Sequence, residues 1–288
     1  MRRFALLVAC LLVGFDVATS AAQRPAPVDV SALLARLADA VVAYYGRAQS
    51  IMCDEAVALQ PVGSDLMSDV TPARRLMYEL RVSWEPPVDG GQPEANVLRT
   101  LMRVNNRPPR DKDKDACMDP RSVSSDALAM FLPESQRDYV FTSAGAGKAN
   151  GRPALMIDYR SREVGAITAT RKDECFSISL PGRTRGRVWI DPVTADVLRL
   201  DERLNGIVDV TVPPDPKRHE LPEHMVIERL DSTITYRRVS FADPDESLVL
   251  PATKESVTVI RNAGTPRLRT SQTFRNYRRF MTGSRIVE

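Results

Sequence analysis

The clearest periodic pattern in the chain is an apolar stripe near its N-terminus. Apolar residues recur there at the three- and four-residue spacing of one helix face, which predicts an amphipathic helix over residues 30–48. Asp29 or Ser31 can cap its first turn, and Gly46 lies near its end. The stripe consists of Val30, Leu33, Leu34, Leu37, Val41, Val42, Tyr44 and Tyr45.

Most of the remaining chain has the two-residue alternation of β-strands. A second, short helix is predicted over Ser122–Leu132. Successive antiparallel strands with one long helix predict a mainly β (α+β) fold, in which a large curved antiparallel sheet or half-barrel is covered by the two helices. The predicted strands cover residues 51–59, 74–84, 95–104, 139–143, 154–159, 187–191, 197–201, 225–241, 254–262 and 266–280.

The strongest hairpin signal lies at residues 187–201, where two alternating segments flank a turn over Pro192–Asp196. The segments between the other strands are less regular. Residues 107–120 and 211–224 are predicted to be polar loops, 143–151 a flexible connection and 161–182 irregular. Alternation places four hairpin residues on one face: Val188, Ile190, Leu198 and Leu200.

The chain begins with the pattern of a secretory signal over residues 1–22. Two arginines precede the apolar run Phe4–Phe15, and small residues stand before a cleavage point ahead of Gln23. Asp16 ends the run short of the roughly 20 apolar residues that span a bilayer, which favours removal of the segment. We therefore predict a periplasmic or secreted protein in which residues 23–288 form a single curved-sheet domain.

A lipid-anchored form is a weaker alternative. Leu7-Val8-Ala9-Cys10 resembles a bacterial lipoprotein cleavage box. Because apolar sequence continues beyond Cys10, the box stands too early in the signal, and lipidation of this residue is disfavoured.

Cysteine usage points to one disulfide, because an exported protein meets an oxidising compartment. The mature chain retains Cys53, Cys117 and Cys175, which allow three pairings. Cys117–Cys175 is favoured because both residues stand in polar, loop-like sequence. Cys53 lies in an apolar run and is interpreted as a buried free thiol, and no CxxC pair supports a redox role.

Composition excludes several kinds of chemistry. The 288 residues include 40 basic and 37 acidic side chains, a net charge of +3, so no global field selects nucleic acid. The two histidines, His219 and His224, exclude a multi-histidine metal site and argue against a Ser-His-Asp triad. No cofactor, metal or catalytic residue is predicted.

Two partial motifs fail on their spacing. The aspartates between 111 and 119 lack the glycine and glutamate of a calcium loop, since Ala116 and Ser122 stand at those positions. Gly145–Lys148 resembles part of a phosphate loop, but the residues around it do not complete the motif. Hydrolysis by a carboxylate pair stays open, because nothing in the sequence distinguishes two of the many acidic residues.

Arginines concentrate toward the C-terminus, where residues 256–287 contain seven arginines and no acidic residue. One interpretation is sheet-surface charge with acidic partners on neighbouring strands. The other is a basic surface that contacts an anionic envelope partner or, peripherally, lipid headgroups. Arg183, Arg185 and Arg187 form a second group. The C-terminal arginines are Arg261, Arg267, Arg269, Arg275, Arg278, Arg279 and Arg285.

Trp84 and Trp189 both lie in predicted strands. One interpretation is packing in the core or between strands. The alternative is that both line a cavity on the concave face of the sheet, where a large amphipathic ring contacts a lipid or other hydrophobic ligand. They are therefore the candidate ligand-binding residues.

The order of elements resembles the periplasmic lipoprotein-carrier superfamily of LolA-like half-barrels. A signal, one amphipathic helix and a run of antiparallel strands are followed by a hairpin, Trp189–Arg203, that is similar to the W-x-D-x-x-T-x-x-V/L strand pair of that family. The resemblance implies an incomplete barrel, covered by helices, that holds lipid chains in an apolar cavity. A closer likeness to exported bacterial proteins implies no activity.

Two functions from different classes follow. The first is a non-enzymatic exported binding protein that holds a lipid or other hydrophobic ligand in its half-barrel. The second is an interaction or scaffold module of the cell envelope that uses the basic C-terminal strands. A carboxylate-dependent hydrolase is the remaining alternative.

Overall fold

The computed structural model of the protein describes residues 29–85, 93–113, 117, 119–120, 124–172, 175–213 and 222–280. The predicted secretory signal with Cys10, as well as His219 and Arg285, lies outside the described residues. Within the described ranges, no helix is both long and apolar enough to cross a membrane.

The first helix, α1, spans Val30–Arg47, as the apolar stripe predicts. The Asp29 carboxylate caps its first turn by accepting a hydrogen bond from the backbone N–H of Ala32 at 3.1 Å. The apolar face of the helix packs into the main core of the protein. Its buried residues are Leu33, Leu37, Ala38, Val41, Tyr44 and Tyr45.

The second predicted helix is present but differs in type. Ser124–Phe131 form a 3₁₀ helix, and a single α-helical turn, α2, follows at Pro133–Gln136. Leu132 between them is extended, because a residue that precedes proline is excluded from the helical conformation. Leu128 and Phe131 are buried in the main core.

Thirteen strands are described, and every pairing between them is antiparallel. They are β1 Ile51–Pro61, β2 Arg74–Glu85, β3 Glu94–Val104, β4 Tyr139–Ala149, β5 Arg152–Ser161, β6 Thr168–Lys172, β7 Cys175–Ser179, β8 Thr184–Ile190, β9 Val197–Leu204, β10 Val208–Thr211, β11 His224–Ala242, β12 Asp245–Arg261 and β13 Arg267–Arg279.

Eleven of these strands form one large sheet in the order β3-β2-β1-β13-β12-β11-β9-β8-β5-β4, with β10 paired to β11. β6 and β7 form a separate two-stranded ribbon. The large sheet is not closed, so β3 and β4 are its edges. The predicted fold class, a mainly β half-barrel of antiparallel strands covered by helices, is confirmed.

Several predicted boundaries were wrong. Residues 161–182, expected to be irregular, contain the β6–β7 ribbon, and β4 continues through the glycine-rich stretch with a register shift between Ser143 and Gly145. β12 begins at Asp245, well before the predicted strand. The sequence obscured this because Pro251 interrupts the alternation, and a bulge in the β11–β12 pairing beside this residue accommodates it.

The predicted loop over 211–224 also ends earlier than expected. β10 reaches Thr211, and His224 is the first residue of β11 instead of a loop residue. The imidazole of His224 is exposed, and its backbone carbonyl accepts a hydrogen bond from the Asn262 amide at 3.2 Å.

The two faces of the sheet differ. One, which we call the covered face, carries the main core under α1 and the 3₁₀ helix, with Ile157, Val188 and Leu200 fully or almost fully buried. We call the other face the open face. Its polar residues alternate along the strands with the buried residues of the covered face, and its small apolar cluster contains no residue from a helix. This is the pattern of an antiparallel sheet with one buried and one solvated face.

The β8–β9 hairpin forms as predicted, except for Leu198. A register shift after Trp189 marks a bulge in the pairing. The bulge turns Leu198 to the open face, where it packs with Ala149 and Ala154. The prediction that Leu198 shares a face with Leu200 was wrong, because a bulge reverses the alternation without any signal in local hydrophobicity.

The structure contains the favoured Cys117–Cys175 disulfide, and Cys53 is a buried free thiol. Cys117 belongs to the segment after β3, whereas Cys175 begins β7. The β6–β7 ribbon packs through Ala169 and Ile178 on a cluster formed by β9, β10 and β11. The disulfide therefore links two covering segments that belong to distant parts of the sheet.

Candidate functional site

The candidate site is the apolar interface between α1 and the covered face. Tyr44 of α1, Cys53, Trp84 and Tyr277 line a cavity of about 30 Å³ there. A second cavity of about 20 Å³ lies between α1, the 3₁₀ helix and Tyr236. Ligand pockets typically measure roughly 300–1,000 Å³. Among the described residues, α1 and the 3₁₀ helix thus fill this interface almost completely.

The structure does not bring the two tryptophans together. Trp84 is buried on the covered face and contacts Tyr45 of α1 edge-on, with ring centroids 4.7 Å apart. Trp189 lies on the open face, where the Arg199 guanidinium stands 4.6 Å from its ring centroid. Only Trp84 therefore lines the interface under α1, because β2 and β8 present their tryptophans to opposite faces.

A buried ion pair lies on the covered face beside this interface. Glu55 has no solvent exposure, and its carboxylate accepts hydrogen bonds from Arg99 at 2.7 Å and from the Gln272 amide at 2.7 Å. These residues are not predicted as a group from the sequence. The sequence contains one indication that Glu55 is buried, because it has the same position in the β1 alternation as the buried Cys53 and Val57.

Cys53 is held as a neutral thiol. Burial, with a smaller contribution from the charge of Glu55, raises the pKa of Cys53 to about 12. Because the thiolate is the reactive form, we expect the folded protein to react with Ellman's reagent at pH 8 only as fast as it unfolds. Stopped-flow absorbance with and without urea measures this difference. A fast reaction of one thiol in the native protein would contradict the prediction and revive a redox role.

A second buried carboxyl lies farther along the covered face. Burial raises the pKa of Glu202, and the nearby charge of Lys254 opposes the shift. The Tyr159 hydroxyl stands 3.4 Å from its carboxylate, and burial also raises the pKa of that phenol above its ordinary value. Glycoside hydrolysis needs a second carboxylate across the scissile bond, and Glu202 lines a groove of about 200 Å³ together with Asp201, Asp231 and Glu255.

Half of the six described C-terminal arginines form ion pairs with neighbouring strands. These pairs are Arg261–Glu228, Arg278–Asp54 and Arg279–Glu246. Arg269 donates to the Leu66 carbonyl at 2.7 Å, whereas Arg275 is exposed and Arg267 is half-buried. Cross-strand pairing therefore neutralises much of the charge that could form a basic surface.

The aspartate-rich segment after β3 is anchored by arginines. Asp113 accepts hydrogen bonds from Arg107 at 2.7 Å and from the Arg110 backbone N–H at 2.9 Å. The Arg107 guanidinium holds the pKa of Asp113 well below its usual range. Asp119 pairs with Arg74 of β2 at 3.2 Å. In the part of the chain that the structure describes, no group of three His, Cys, Asp or Glu side chains could hold a metal ion.

Solved structures that are similar to this chain include the following three. A domain from Vibrio parahaemolyticus assigned to outer membrane lipoprotein sorting has 11% identity and a TM-score of 0.40, with 86% of this chain and 93% of that chain covered. A LolA superfamily protein from Nitrosomonas europaea has 9% identity and a TM-score of 0.34, with 90% and 97% covered. The MucA/MucB complex from Pseudomonas aeruginosa has 13% identity and a TM-score of 0.22, with 88% and 100% covered.

These likenesses concern the fold. Two of them come from the LolA-like and lipoprotein-sorting proteins that the sequence resembles. No protein-family model matches the chain, and no curated protein matches it. At such identities and TM-scores, the function has to be argued from the geometry of this protein.

Proposed function

We propose that the protein is an exported, non-enzymatic binding protein that holds a lipid or other hydrophobic ligand between α1 and the sheet. The supporting observation is the interface under α1, where aromatic and aliphatic side chains from the helix and from β1, β2, β12 and β13 surround residual cavities. Since those cavities are too small for an acyl chain, the ligand takes the place of the apolar face of α1. The helix is then a cover that moves aside.

The contacts between α1 and the sheet allow this exchange at a small cost in free energy. The buried face of α1 contributes leucine, valine and tyrosine side chains to the core. Hydrophobic contacts are non-directional, so an acyl chain can replace them at little net cost. A polar tie also holds the helix: Arg36 donates to the backbone carbonyls of Pro192 at 3.1 Å and Val193 at 2.8 Å. This tie can be removed without altering the apolar interface.

Titration of the purified protein with the lipophilic dye N-phenyl-1-naphthylamine tests the proposal. We expect saturable fluorescence enhancement that palmitate reverses, together with a lipid that copurifies and is detected by mass spectrometry. A dye signal that rises without saturation, and no bound lipid, would exclude a ligand under α1.

The variant Arg36→Ala is expected to bind the dye roughly five- to tenfold more tightly. Loss of charge-assisted hydrogen bonds worth about 1–1.5 kcal/mol makes displacement of the helix easier. Arg47→Ala is the matched control, because Arg47 is an exposed arginine of the same helix whose Nε donates to the Ala43 carbonyl of that helix at 3.4 Å. Equal dye affinities of the two variants would show that α1 is not the cover.

The alternative, an anionic envelope partner or peripheral membrane contact at the C-terminal strands, has less support. Arg261, Arg278 and Arg279 are already engaged by carboxylates, so about half of the positive charge of the described C-terminal arginines is balanced within the protein. Three further arginines stand side by side on another part of the sheet.

A further inference from the structure

Three exposed arginines face one another across neighbouring strands of the open face. Arg160 of β5 lies opposite Arg185 of β8, and Arg185 lies opposite Arg203 of β9. We call these residues the arginine row. Adjacent strands lie about 4.8 Å apart, so the row spans roughly 10 Å. Among the described residues, no side-chain hydrogen bond or ion pair engages any of the three.

The next row on the same strands contains charges of both signs. Asp158 lies opposite Arg187, which lies opposite Asp201. Arg187 donates to Asp158 at 2.6 Å, and Arg199 donates to Asp201 at 2.7 Å. Acidic partners are therefore supplied two residues away but not at the arginine row. Like charges directly opposite each other destabilise a sheet, so the row lowers the stability of the unliganded protein.

The arginine row lies in a groove of about 630 Å³ on the open face. Four arginines and two aspartates line this groove, which gives it a net charge of +2. The hydroxyl-bearing side chain of Thr142 and the ring of Trp189 also line the groove. None of the exposed large apolar side chains of the described chain belongs to the lining, so the groove lacks the residues that insert into a membrane.

We propose that this groove binds a soluble ligand that carries two or more adjacent phosphate groups. A guanidinium presents a planar fork of donors that matches two phosphate oxygens, and three forks spread along roughly 10 Å match a chain of phosphate groups better than a single one. A diphosphate or longer chain places several anionic oxygens along the row and removes the repulsion between the arginines. The site lies on the face opposite α1, so it does not depend on the proposed hydrophobic ligand.

Isothermal titration calorimetry of the purified full chain with pyrophosphate and tripolyphosphate tests the site. We expect saturable binding that weakens with added salt, and weaker binding of orthophosphate. Arg185→Gln removes the central arginine and should weaken pyrophosphate binding by at least about tenfold, because it removes a pair of charge-assisted hydrogen bonds. Arg103→Gln, which alters an exposed arginine of β3 outside the groove, should leave binding unchanged.

A stability readout separates a binding role from a structural one. In the absence of ligand, Arg185→Gln should raise the melting temperature, since it relieves like-charge repulsion, and it should abolish the further rise that pyrophosphate produces in the original chain. A lower melting temperature for this variant would assign the row a structural role and overturn the proposal. So would equal effects of Arg185→Gln and Arg103→Gln, or sedimentation with phosphatidylglycerol vesicles without any binding of soluble polyphosphate.

Discussion

The variant Glu55→Ala is expected to lower the free energy of unfolding by about 3–5 kcal/mol. Glu55 is completely buried, and its partner Arg99 has only 10% of its side chain exposed. The substitution removes the carboxylate that balances this guanidinium in apolar surroundings, and it also removes the acceptor of the Gln272 amide. Urea denaturation followed by circular dichroism measures the change.

Glu79→Ala is the matched control for this experiment. The Glu79–Arg81 pair has the same 2.7 Å separation, but its side chains are 27% and 45% exposed. Water screens such a pair, so we expect a loss of at most about 1 kcal/mol. The double variant Glu55→Leu/Arg99→Met should lose less than Glu55→Ala alone, because apolar residues often replace a buried ion pair without cost. Similar losses for Glu55→Ala and Glu79→Ala would refute this account.

Reduction of the Cys117–Cys175 disulfide is expected to lower the free energy of unfolding by about 4 kcal/mol. The two cysteines are 58 residues apart, so the bridge removes a large amount of chain entropy from the unfolded state. In the folded state the bridge joins the segment after β3 to the β6–β7 ribbon. We therefore expect those two covering segments to be the first to lose protection from hydrogen exchange after reduction.

Denaturation with and without dithiothreitol measures the size of this effect. The double variant Cys117→Ser/Cys175→Ser should unfold at the same denaturant concentration as the reduced protein and should not respond to dithiothreitol. Cys53 is a buried free thiol in the folded protein, so it takes no part in the bond that dithiothreitol reduces. Equal midpoints for the oxidised and reduced protein would contradict a stabilising role for the bridge.

Local patterns were sufficient to predict most elements of the fold. The stripe that begins at Val30 predicted α1 to within one residue, because a helix that covers a sheet must keep one apolar face. Alternation located the long strands, and the polar surroundings of Cys117 and Cys175 favoured the pair that the structure contains. The ribbon β6–β7 escaped prediction because its strands have only five residues each, and β6 contains a single apolar residue, Ala169.

The candidate sites were much harder to predict. Alternation assigns Glu55 to the buried face of β1, but its partner Arg99 lies 44 residues away on β3, with β2 between the two strands in the sheet. Nothing local in either segment indicates that the two side chains meet. The same limit applies to Trp84 and Trp189, which the sequence could place in strands but not on the same or opposite faces.

The sequence by itself determined the kind of structure: one covering helix, many antiparallel strands and a disulfide between two polar segments. These depend on periodicity and composition, which act over a few residues. Only the tertiary structure decided that α1 fills the interface beneath it, and that Arg160, Arg185 and Arg203 stand side by side. The interface under α1 and the arginine row both depend on which residues of neighbouring strands face each other. A bulge or a shift of one residue exchanges the two faces of a strand without changing its local pattern.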